Sequence, residues 1–184
     1  TDAMDIIDDP EIDVVVELIG GHDQAMEYIL MAMERGKQVI TANKALIAKH
    51  GRILFEAAEK YNVDIAFGAG VAGGIPIVRA LREGLAANQI KAVLAILNGT
   101  SNYILTRMTE EGLPFNEALS KAKRLGYAEQ DPTLDIDGSD AAHKLTIIIS
   151  LAFGHPFTYE DVYKEGINEV CPEDIRFAGE FGYC

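Results

Sequence analysis

Asp140 and Lys144 stand four residues apart at the head of the most apolar run in the chain, Leu145 to Phe153. A helix stacks that spacing on one face, and an exposed pair of this kind adds only about 0.3–0.5 kcal/mol. The surroundings point to more: Ala141, Ile148 and Leu151 share the face, so the pair opens a helix that enters a core. An amino group against a low-dielectric wall titrates closer to neutrality, and a carboxylate that orients it lets it exchange a proton with a substrate. Just upstream, Glu129, Asp131, Asp135 and Asp137 crowd one loop. They lack the alternating order of a calcium loop, and His143 has no second histidine at ligand spacing, so a divalent metal fits them poorly. A cationic amino group fits better, since hydrogen-bonded carboxylates are its natural acceptors.

Such side chains need elements to hold them. The first half of the chain alternates β-branched runs with stretches of helical period, the mark of parallel strands joined by crossover helices. Val14 to Leu18 is expected as a buried strand, and Gln38 to Thr41 and Val63 to Phe67 as the next two strands. Between them, Ala25, Met26, Ile29, Leu30 and Met33 give one helix ending near Gly36, and Leu46, Leu54, Ala57, Ala58 and Tyr61 give another. Ligands of a doubly wound sheet bind outside the carboxyl ends of its strands, which places Ile19-Gly20-Gly21 and Ala42-Asn43-Lys44 where a cofactor would sit. The glycine-dense run Gly68 to Gly74 marks the crossing to a second domain. The expected fold is therefore α/β: a partial Rossmann-type parallel sheet over residues 1–72, then an α+β domain over residues 73–184. In the latter, helices are expected over Ile75 to Glu83, Asn102 to Met108, Phe115 to Leu125 and Ser139 to Phe153, with a closing helix that starts at Pro172. Asn98 to Ser101 offer capping side chains, and Gln89 to Leu97 and Val162 to Gly166 are expected as strands.

Bulk properties exclude several classes. With 184 residues and 48% hydrophobic content the chain can bury a full core. A net charge of -13 opposes nucleic acid and anionic membranes. The apolar runs fall far short of the roughly 20 residues that cross a bilayer. Two cysteines without CxxC spacing suggest neither a disulfide framework nor a zinc ribbon, and a cytoplasmic setting is expected.

The stretch from Ala122 through Lys144 resembles the signature segment of homoserine dehydrogenases, with Ala122, Gly126, Asp131, Pro132, Asp135, Gly138, Asp140 and Lys144 at its spacing. Val15 to Gly21, Thr41 to Leu46, Val71 to Ile77 and Leu97 to Leu105 are similar to other segments of that family, in the same order. The resemblance implies an NAD- or NADP-dependent oxidoreductase that interconverts L-homoserine and L-aspartate 4-semialdehyde, on the route to threonine, isoleucine and methionine. It implies Lys144 as the catalytic proton donor, Asp140 as the group that orients it, and Lys44 as a second catalytic lysine beside the cofactor. Which lysine is the essential acid stays open. Glu129 and Asp135 would hold the substrate's amino group, Gly99 and Thr100 would lie beside the substrate, and Tyr127 would assist. Ile19, Gly20, Asn43 and Lys44 would meet the cofactor, and backbone carbonyls of Val71, Gly73 and Ile75 would ligate a monovalent cation, Na+ or K+. By the same resemblance residues 73–184 would be the substrate-binding and dimerisation domain, and a homodimer is expected.

Departures from the family carry expectations of their own. Gly68 stands where the family commonly has glutamate, which removes a carboxylate from the cation site. No GxGxxG precedes Val14, so the chain is expected to begin inside its nucleotide-binding domain and, by itself, to bind cofactor weakly and be inactive. Two rivals remain: a sugar or polyol dehydrogenase of Rossmann type, expected to lack the Asp-Pro-to-Lys144 segment, and a non-catalytic dimerisation and substrate-recognition module.

Overall fold

The computed structural model describes residues 2–183. Residues 2–93 with His143–Val162 form one compact unit, and Leu94–Ala142 with residues 163–183 form a second. The first unit opens on a short helix, α1 (Ala3–Ile7), capped by Asp2. Then β1 (Val14–Glu17), α2 (Asp23–Glu34), β2 (Gln38–Thr41), α3 (Lys44–Tyr61) and β3 (Ile65–Ala66) alternate as the hydrophobic pattern requires. The three strands make one parallel sheet in the order β1-β2-β3, with Glu17 opposite Thr41 and Ile40 opposite Ala66.

The two-residue period of a strand sorts these side chains by face. Glu17, Val39, Thr41 and Ile65 are buried on one face, while Val14, Val16, Ile40 and Ala66 on the other stay exposed. The apolar stripes of α2 (Ala25, Ile29, Ala32, Met33) and α3 (Leu46, Ile47, Leu54, Ala58) are buried, and the two helices pack against each other and against the strands. The expectation of a buried first strand is thereby corrected: Val14 is 46% and Val16 is 55% exposed. β1 is the edge of the sheet among the described residues, and its second face carries no layer.

Local chemistry sets where the helices stop. After α2, Gly36 takes φ +76°, and Gly36 N and Lys37 N donate to Met33 O (2.9 Å) and Ala32 O (3.0 Å), closing the end in a Schellman turn. α3 ends on Asn62 in the left-handed region, which asparagine tolerates. Beyond β3, α4 (Ile77–Arg79) runs into a wider π turn, Ala80–Gly84.

The strand expected over Gln89 to Leu97 is irregular backbone, with Leu94 96% and Ile96 77% exposed. Its alternation is present in the sequence, but among the described residues no strand lies alongside to complete a ladder. The same holds for Val162 to Gly166, likewise irregular.

The second unit is built from α5 (Gly99–Glu111), α6 (Phe115–Arg124), α7 (Thr133–Ile136), the first turn of α8 (Ser139–Phe153) and α9 (Pro172–Glu180). The bounds of α8 and the start of α9 are those expected. Ile104 and Met108 of α5 pack on Ala118 and Ala122 of α6 and on Ala128, with Phe115, Leu119, Ile136 and Ile175 closing the edges. The alanines let the two helices approach closely.

Where α7 meets α8 the backbone itself is packed. A Cβ at Gly138, which has φ +82°, would lie 2.7 Å from Glu165 O, and one at Gly166 would lie 2.8 Å from Ile136 O. Gly154, at φ +63°, has nothing within 4 Å of such an atom. Gly138→Ala is therefore expected to lower the unfolding free energy by about 2 kcal/mol or more, and Gly154→Ala by only about 1 kcal/mol, the left-handed backbone penalty alone. Urea unfolding of both variants checks this, and equal losses would show that the Glu165 carbonyl moves aside.

Candidate functional site

At the carboxyl ends of β1 and β2 a buried acid organises the turn that follows. Glu17 is 5% exposed. Its Oε1 accepts from Ile19 N (2.8 Å) and Gly20 N (3.0 Å), and its Oε2 accepts from the Thr41 hydroxyl at 2.6 Å. Thr41 Oγ1 accepts in turn from Asn43 N at 3.0 Å. Asn43 then caps α3, taking Leu46 N at 3.1 Å, and its Nδ2 donates to Gly21 O at 2.7 Å. One hydrogen-bonded line thus joins the turn after β1 to the start of α3. Gly20 and Gly21 have φ near +72° and +74°, with nothing within 4 Å of an added Cβ. Of the residues expected at the cofactor, Ile19 is 60% exposed on this turn, Asn43 is the cap, and Lys44 is half-buried as the first residue of α3.

Gly70 approaches closely from the loop after β3: a Cβ there would meet Ala42 O at 3.4 Å and Lys44 Cβ at 3.5 Å. Beyond it the chain turns on Ala72 (φ +50°) and Gly74 (φ +85°), and Ile75 N donates to Ala72 O at 2.8 Å. Val71 is fully buried here, whereas Gly73 and Ile75 are exposed. An added Cβ at Gly68 would meet nothing within 4 Å, so the missing carboxylate is a chemical absence and not a steric one.

In the second unit, Asn98 draws two of the expected residues together. Its Nδ2 donates to Asp135 Oδ1 at 2.6 Å and to Asp140 Oδ2 at 2.9 Å, and its Oδ1 accepts from Ser101 N at 2.7 Å, capping α5. Ser101 Oγ donates to Asp135 O at 2.8 Å. Gly99 and Thr100 form the first turn of α5, and the Thr100 hydroxyl donates to Tyr127 O at 2.6 Å. Tyr127 stacks on Tyr103 with ring centroids 4.4 Å apart. It is carried there by Gly126 (φ +80°), which ends α6 as Tyr127 N donates to Ala122 O at 2.9 Å. Glu129 is exposed. Asp137 caps α8, accepting from Ser139 N at 2.8 Å and from its hydroxyl at 2.9 Å. Burial pushes the Asp137 carboxyl up, but Ser139 and Lys164 outweigh this and hold it below the usual range. Lys144 is half-buried on α8, one turn past Asp140.

Glu17, Thr41 and Asn98 were not among the expected site residues. A signal existed for the first two: a glutamate inside the apolar run Val14 to Ile19 must find donors if it is buried. Among the described residues no three histidines, cysteines or acids gather as a metal site. A cavity of about 640 Å³ in the first unit opens among Ile47, Phe55, Phe67, Leu151 and Phe157, and no expected site residue lines it.

Residues 76–184 match the family model described as homoserine dehydrogenase, and residues 1–68 match that of the homoserine dehydrogenase NAD binding domain. Homoserine dehydrogenase of Pseudomonas aeruginosa is 53% identical over 99% of the chain, and that of Neisseria gonorrhoeae 52% over the same share; the chain spans 42% of the length of each. Among solved structures, a homoserine dehydrogenase from Thiobacillus denitrificans is similar with a TM-score of 0.94 at 54% identity, over 99% of this chain and 42% of that one. A hyperthermophilic archaeal homoserine dehydrogenase in complex with NADPH is similar with a TM-score of 0.81 at 33% identity, over 92% of this chain and 52% of that one.

The line from Glu17 through Thr41 predicts a coupled loss. Thr41→Val leaves Glu17 Oε2 buried without its donor and is expected to destabilise the fold by about 1–3 kcal/mol. In a Glu17→Leu background the same change should cost much less, and a double-mutant cycle of unfolding free energies measures the difference. Additive losses would show that the two side chains do not act together.

Proposed function

The chain belongs to the homoserine dehydrogenase family, and from that premise we propose that its residues serve an NAD(P)-dependent dehydrogenase interconverting L-homoserine and aspartate semialdehyde. The observation that carries this reading is the cluster around Asn98. Two carboxylates lie within hydrogen-bonding distance of one amide, at the head of the helix that bears Lys144 one turn later.

Homoserine presents an ammonium group, a carboxylate and a hydroxyl. Asp135 and Glu129 receive the ammonium through charge-assisted hydrogen bonds. Gly99 and Thr100, in the first turn of α5, offer backbone N–H groups and the positive end of a helix to the substrate carboxylate. Tyr127, held against Tyr103, gives that turn a rigid wall. In the oxidative direction Lys144 takes the proton of the hydroxyl, and in the reductive direction it returns a proton to the aldehyde oxygen. Asp140 orients it. Lys44 brings a second cation, and either lysine can stabilise the developing alkoxide.

A bound nicotinamide supplies hydride transfer. Ile19, Gly20, Asn43 and Lys44 would hold the cofactor at the carboxyl ends of β1 and β2, and the open space above Gly20 and Gly21 suits the close approach of a ligand. The carbonyls of Val71, Gly73 and Ile75 would be the ligands of a Na+ or K+ ion, with glycine at position 68 leaving that site without a carboxylate. No step is assigned to a cation. A homodimer in the cytoplasm completes the reading; among the described residues no helix is long and apolar enough to cross a membrane.

Homoserine-dependent reduction of NAD and of NADP by the full-length protein tests the reading. Lys144→Ala is expected to lower turnover at least ~100-fold, with Lys44→Ala measured alongside. Near-normal turnover in Lys144→Ala would remove that lysine from the chemistry and leave Lys44 as the acid.

A further inference from the structure

Asn98 has two tasks, one at each end of its amide. The oxygen caps α5 through Ser101 N. The nitrogen has two N–H groups, and each goes to a different carboxylate, Asp135 at 2.6 Å and Asp140 at 2.9 Å. The orientation is fixed, because the amide turned over would set its oxygen against both carboxylates and its NH2 against the Ser101 N–H. At 8% exposure the side chain meets little competition from water.

The two acids come from separate elements, 37 and 42 residues along the chain from Asn98. Asp135 lies in α7 and Asp140 in the first turn of α8. Like charges this close repel one another. A neutral double donor holds them together without adding a charge of its own. A lysine in its place would quench the charge, and an aspartate would add to the repulsion. Ser101, whose hydroxyl bonds Asp135 O at 2.8 Å, fixes the same aspartate by its backbone.

We propose that Asn98 is a positioning residue whose amide clamps Asp135 to Asp140, fixing the distance between the carboxylate that receives the substrate's ammonium and the one that orients Lys144. The proposal rests on the function set out above. Its role is separable from capping, since serine and aspartate are both good N-caps. Serine is too short to reach both acids, and aspartate keeps the shape while losing both donors.

The test is made in the full-length protein. Asn98→Ser should raise the homoserine KM at least about tenfold and lower kcat at least about tenfold, while the cofactor KM changes less than about twofold. Asn98→Asp should fail to restore kcat. If both variants keep wild-type KM and kcat and differ only in thermal stability, Asn98 is a cap alone and the clamp is overturned. A parallel rise in cofactor KM would also overturn it, as general loosening of the site. Wild-type protein without homoserine turnover would sink the function instead. In that event proton exchange judges the clamp: both Asn98 Nδ2 protons exchange slowly in the NMR spectrum if it exists, and rapidly if it does not.

Discussion

A carboxylate withdrawn from water must find donors or surrender its charge, and each unit of this chain is arranged around carboxylates that meet this demand. In the first, Glu17 gathers two backbone N–H groups and a hydroxyl at the tips of two strands. In the second, Asp135 and Asp140 share the amide of Asn98. The demand shapes the turns: the backbone after β1 folds over Glu17 because its N–H groups go there, and α7 and α8 are tied through their acids to the head of α5. Satisfying an internal charge and fixing the turns around it are here the same act.

The supports around these acids are rigid for reasons that act over one or two residues. Schellman turns at Gly36 and Gly126 end helices sharply and deliver the next residue to a defined place. Asn43 and Asn98 each cap a helix with one end of the amide and tie a distant segment with the other. Capping residues are strong helix starts in any protein. Here they also transmit position, so a substitution that keeps the helix can still displace the distant segment that the amide ties.

Much of this was legible in the sequence. The alternation of β-branched runs with helical period foretold the parallel sheet, and the apolar stripe after Asp140 foretold α8. Asp135 and Asp140, singled out in the sequence, do lie together on one amide. What stayed hidden depended on contacts between distant positions. Asn98 reads as a cap, and nothing local reveals that its other end reaches acids far along the chain. Glu17 sat unremarked within a run of valines. The strands expected at Gln89 to Leu97 and Val162 to Gly166 failed for the converse reason: alternation records which face a strand would use, not whether another strand lies beside it to complete the ladder.

Among the described residues the sheet has a single wall of helices. Val14, Val16 and Ile40 form a hydrocarbon strip along its other side, next to an edge where no further described strand pairs. Parallel sheets elsewhere are insulated on both sides. Two such strips attract one another in water, and mutual repulsion from a net charge of -13 works against their adhesion. Ionic strength, which screens the repulsion and leaves the adhesion, would then govern how concentrated the protein can be kept.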